Sequence, residues 1–106
     1  MNVKDQFWQR TISLIKAHKI SHKNFACYVD INYDVFRGWI SKNRIPDAIS
    51  ACNIADALGV SVEYLVRGKD GLGEELRKKQ VEEQKKASKR IKIFVEKLML
   101  ETGRLD

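Results

Sequence analysis

The chain contains one proline, and no run of apolar residues approaches the roughly 18 that a membrane-spanning helix needs. Its first ten residues, MNVKDQFWQR, lack the apolar stretch of a secretory signal, so the expectation is a cytoplasmic protein that neither crosses nor enters a membrane. Cysteine is scarce as well. Cys27 and Cys52 form no CxxC, have no paired histidines nearby and no acidic cluster to complete a metal site, which excludes a disulfide framework and leaves no metal expected. Both are expected to be reduced, buried thiols, since free cysteine is among the most buried residue types. No carboxylate pair, activated nucleophile or glycine-rich phosphate loop accompanies His18 or His22, so neither catalysis nor a cofactor is expected. Strand-like alternation is missing too, and the expected fold class is all-α.

What the sequence does have is positive charge. There are 20 Lys and Arg against 14 Asp and Glu in 106 residues, a net charge of +6, which favours a polyanionic partner. Residues 1–70 and 71–106 each carry 10 basic and 7 acidic groups, so net charge alone does not locate the binding surface.

Periodicity and punctuation give the elements. Phe7, Thr11, Leu14, Ile15 and His18 recur at helical spacing, which predicts a first helix over about 4–18. Ser21 is placed to cap a second helix from His22, with Ile20 and Phe25 as a hydrophobic staple. Asn32 caps a third from Tyr33, with Ile31 and Phe36 as the next staple, so only a short corner separates the second and third helices. Pro46 ends that pattern and Asp47 caps a fourth helix running through Ile49, Ile54, Ala55 and Leu58 to Gly59. Ser61 opens a short fifth helix, stapled by Val60 and Leu65 and ending at Gly68.

Three glycines in positions 68–73 suggest a hinge, which divides the chain into a domain at 1–69 and a hinge with a long C-terminal helix at 70–106. Within that helix, Glu74–Lys78, Glu75–Lys79 and Glu82–Lys86 are spaced for i,i+4 pairs worth about 0.2–0.5 kcal/mol each. Its end carries Ile91, Phe94, Val95, Leu98 and Met99, an apolar face expected to join two copies into a homodimer or a larger assembly. The basic stretch at 77–92 has no aromatic anchor and is interrupted by Glu82 and Glu83, which argues against a membrane-surface role.

With Phe36, Trp39 and Ile40 turned inward, the third helix leaves Tyr33, Asp34, Arg37, Gly38 and Ser41 outward, beside Asn32. Arginine can bond guanine at two atoms, and aspartate can accept from cytosine N4. Gly38 costs about 1 kcal/mol of helix propensity relative to alanine, so it needs a reason: close approach of DNA or room for a neighbouring helix.

These features together make residues 8–67 resemble the lambda-repressor-like, or XRE, family of helix-turn-helix domains. Ser21 with Phe25 and Ala26 resembles the opening of the family's second helix, and Ile31–Asn32 the step into its recognition helix. Phe36 and Trp39 match buried positions of that helix, Pro46 the loop proline, and Ala57-Leu58-Gly59-Val60-Ser61 with Tyr64-Leu65 the closing signature. The resemblance implies a five-helix DNA-binding domain followed here by the long C-terminal helix. It places base contacts on Asn32, Tyr33, Asp34 and Gly38, with Arg37 between them, and phosphate contacts near His22 and Lys23 and on Lys42, Asn43 and Arg44; Ser41 on the same outward face joins the expected base readers, and Ser21 beside His22 the expected phosphate contacts. Three residues depart from the pattern: His22 stands for glutamine, Asp30 for the corner glycine, and Gly38 for a residue that usually has a side chain. The implied function is a sequence-specific regulator of the repressor type, bound to double-stranded DNA at a palindromic operator as a homodimer. The alternative is an antitoxin, controller or adaptor that uses the same domain mainly to bind protein.

Overall fold

The structure, a computed structural model, describes residues 3–68 and 74–104 and is all-helical over them. In chain order the elements are α1 (Val3–Ala17), α2 (His22–Tyr28), α3 (Tyr33–Ser41), α4 (Ala48–Leu58), α5 (Val62–Arg67) and α6 (Glu74–Arg104). The expected hinge at 69–73 lies outside the described residues.

All four expected caps form. The Ser21 side chain accepts from the Asn24 amide, Asn32 from Asp34 and Val35, Asp47 from Ser50, and Ser61 from Tyr64. Each satisfies amides that an isolated first turn leaves unpaired, which is why these helices start where they do. Helix ends are equally local. Asp30 (φ 58°), Asn43 (φ 55°) and Gly59 (φ 73°) close α2, α3 and α4 in the left-handed conformation. The next residue's amide then returns to the helix, Ile31 to the Ala26 carbonyl, Arg44 to Trp39 and Val60 to Ala55. Asp30 thus makes the corner in place of glycine.

One core unites the described residues. Phe7, Trp8, Ile15, Ile20, Phe25, Phe36, Ile54, Leu58 and Leu65 are all buried in it, and so is Ile91 of α6, fully covered. The core therefore runs across the boundary expected at residue 69. Helix α6 crosses the end of α4 at Gly59, where an added Cβ would sit 2.5 Å from the Glu83 carbonyl oxygen. One turn on, Ala87 is fully buried, then Ile91, and the Phe94 ring lies 4.9 Å from that of Tyr28 in α2.

This packing takes up part of the face expected to join two copies. Ile91, Phe94 and Val95 are turned onto the chain's own core, with Leu98 half-buried, while Met99 alone of the five is exposed. The body of the same molecule covers Ile91 fully and Phe94 and Val95 in part. Lys86 pairs with Glu83 at 3.5 Å rather than with Glu82.

The cysteines are a correction, because both are exposed and free. In α4 the core stripe is taken by Ala51, Ile54, Ala55 and Leu58, which leaves Cys52 one step off it. In α2, Phe25, Ala26 and Val29 point inward and Cys27 points out.

Candidate nucleic-acid interface

The scaffold beneath α3 is aromatic. Phe36 is fully buried, with Trp8 edge-on at 5.6 Å, Phe25 at 6.0 Å and the His22 ring at 6.4 Å between ring centres. Edge-to-face rings interdigitate and resist rotation of the helix that carries them. The Trp8 indole N–H also donates to the Arg44 carbonyl at 2.7 Å, tying the loop after α3 to α1. Trp8 was not singled out by the sequence, since the stripe of α1 runs through its neighbour Phe7. Its hydrogen bond links residues 36 positions apart, which no local pattern encodes.

On the outer face, Asn32, Asp34, Arg37 and Ser41 are exposed, Gly38 is half-buried, and Tyr33 is half-buried with its ring against the core. Tyr33 is therefore only partly available to a partner. Asn32 spends its side-chain oxygen on the cap and retains its NH2 group as a donor. Ser41 donates to the Gly38 carbonyl at 3.3 Å. A Cβ added at Gly38 would meet nothing within 4 Å, so room for a neighbouring helix is not the reason for this glycine.

Arg37 is held in two ways. Its guanidinium pairs with the Asp34 carboxylate at 3.2 Å, and its carbon lies 5.6 Å from the centre of the Tyr33 ring. The Arg37 and Asp34 side chains are 65% and 79% exposed, so water screens the pair and it contributes about 0–1 kcal/mol. An exposed pair this weak can be exchanged for contacts to a ligand.

No family model, curated protein or solved structure matches this chain.

The residues expected to grip phosphate surround the same helix in sequence. Ser21, Lys23, Lys42 and Arg44 are exposed, and His22 and Asn43 half-buried. Ser21 accepts the Asn24 amide through its hydroxyl oxygen, leaving the hydroxyl proton free to donate. Lys42 and Arg44 sit on the turn at Asn43 that closes α3, a loop fixed by the Trp8 bond and by the Arg44 amide on Trp39. The arrangement is a short helix with donors and an acceptor outward, bordered by cations on rigid connections.

Proposed function

We propose that the chain is a sequence-specific regulator of the repressor type that binds double-stranded DNA, with α3 in the major groove. The observation that carries this reading is the outer face of α3. Asn32, Asp34 and Arg37 offer the groups that distinguish base edges, and Gly38 beside them leaves open space where a side chain would hold a partner away. Lys23, Lys42 and Arg44 supply sequence-independent attraction to the phosphates on either side.

Two copies would occupy a palindromic site, each placing one α3 in a half-site. Their pairing draws on surfaces other than Ile91, which each copy buries in itself. With no helix among the described residues long and apolar enough to cross a membrane, a cytoplasmic location accords with this role.

Selection of bound sites from random duplex DNA tests the proposal. The expected outcome is an enriched motif with two related half-sites. Recovery of duplexes with no common motif would reject base reading by α3.

A further inference from the structure

The densest run of positive charge in this protein lies in one segment of α6. Residues 85–92, KKASKRIK, hold five basic side chains and no acidic one, so this segment carries +5 of the net +6 and the remaining residues together net +1. Lys85, Lys86, Lys89, Arg90 and Lys92 are all exposed. The two apolar members of the same segment, Ala87 and Ile91, are fully buried.

At 3.6 residues per turn, burial of Ala87 and Ile91 puts Lys89 opposite the core and Lys85 and Lys92 on the same outward half of the helix. They form a band about 10 Å long at 1.5 Å per residue. Among the described residues none of the three has an acidic partner, whereas Lys86 is engaged by Glu83. Glu82 and Glu96 close the band at its two ends.

The band is also held in place. Glu83 packs against Gly59 on one side of it and Phe94 against Tyr28 on the other, so the helix is anchored to α4 and α2 on both flanks. Arg90, to one side, lines a groove with Tyr28, Asp30 and Asn53. Solvation alone does not require lysines to be collected this way, since alternating signs keep an exposed helix soluble.

We infer that Lys85, Lys89 and Lys92 form a second, sequence-independent surface for the phosphate backbone of duplex DNA, separate from α3. Charge complementarity selects the partner's chemistry. An anionic membrane is the poorer fit. Of the exposed apolar residues of α6, Val81 and Ile93 flank the band and Met99 and Leu100 lie beyond it, none of them is aromatic, and Phe94, the aromatic residue of the helix, is packed against the core.

The inference shares its partner with the proposed function, so its test must separate the two. Wild-type full-length chain, the triple variant Lys85→Gln/Lys89→Gln/Lys92→Gln and Arg37→Ala are titrated with a random-sequence duplex across a salt series, with helical content checked by circular dichroism. Glutamine matches lysine in helix propensity, so the triple variant is expected to keep its fold. Its log–log salt slope should fall in magnitude by about 2–3, near 0.9 per lost phosphate contact, while Arg37→Ala keeps the wild-type slope. An unchanged slope in the triple variant overturns the inference. So does tighter capture of the wild type by phosphatidylserine vesicles than by duplex. A reduced slope in a protein that selects no motif would uphold this surface and reject base reading by α3; no duplex binding by the wild type would reject both.

Discussion

Gly38 and His18 are the two residues whose chemistry is least explained by folding alone. Gly38 sits inside α3 at a cost of about 1 kcal/mol against alanine, yet nothing in the structure would collide with a methyl group there. Stability and binding should therefore part company in Gly38→Ala. Thermal or urea unfolding should report a gain of about 0.5–1 kcal/mol, and affinity for the selected duplex should fall. A variant that is more stable and binds equally well would mean that Gly38 does not face DNA.

His18, just beyond α1, has its Nε2 covered and unpartnered among the described residues. Burial lowers its pKa from the ordinary value of 6.5, opposed in part by a hydrogen bond to the Leu58 carbonyl. Because the folded-state pKa lies below the unfolded one, the unfolded chain binds the extra proton more readily. The stability that His18 contributes as a neutral ring is present above pH 6.5 and is lost as pH falls below that value. Unfolding free energy should drop between about pH 7 and pH 5 in the wild type, and drop less in His18→Asn. Identical pH profiles for the two proteins would contradict this account.

Among the elements, α6 has changed most between expectation and structure. The caps at Ser21, Asn32, Asp47 and Ser61, and with them the starts of four helices, were legible because each rests on a side chain reaching two or three residues along the chain. The outer face of α3 was legible for the same reason, apart from Tyr33, whose ring the core takes up in part. The destination of α6 was not. Its apolar stripe was visible, but a stripe says only that a partner exists, and the crossing at Gly59 joins residues far apart in sequence. The cysteines show the limit of composition: the alternation of Ala51, Ile54, Ala55 and Leu58 already leaves Cys52 off the core stripe, and the residue type outweighed it. If α6 belongs to the core, Ile91→Ala should destabilise the chain by about 2–4 kcal/mol in denaturant unfolding, independently of protein concentration. An effect that appears only as a concentration-dependent loss of self-association would restore the seam between copies.

At the scale of the whole molecule, the five short helices and α6 form one body with two positively charged regions: the rim around α3 and the band on α6. The rim is mixed in sign, since Asp30, Asp34 and Asp47 lie among its cations, and the band is not. Such a division assigns sequence preference to α3 and much of the general affinity to α6, on the proposed reading.

The central claim, that α3 reads bases, is tested most directly by measuring Arg37→Ala and Arg44→Ala against the selected site and a scrambled duplex at one fixed salt concentration. Arg37→Ala should weaken the selected site by about 1–3 kcal/mol and the scrambled duplex much less, because a wrong base leaves the guanidinium donors unpaired. Arg44→Ala should weaken both by similar factors. Asp34→Ala, measured alongside, removes the carboxylate that pairs with Arg37 at 3.2 Å and separates loss of arginine from release of aspartate. Equal weakening of both duplexes by Arg37→Ala, with Asp34→Ala unchanged, would contradict base reading by α3.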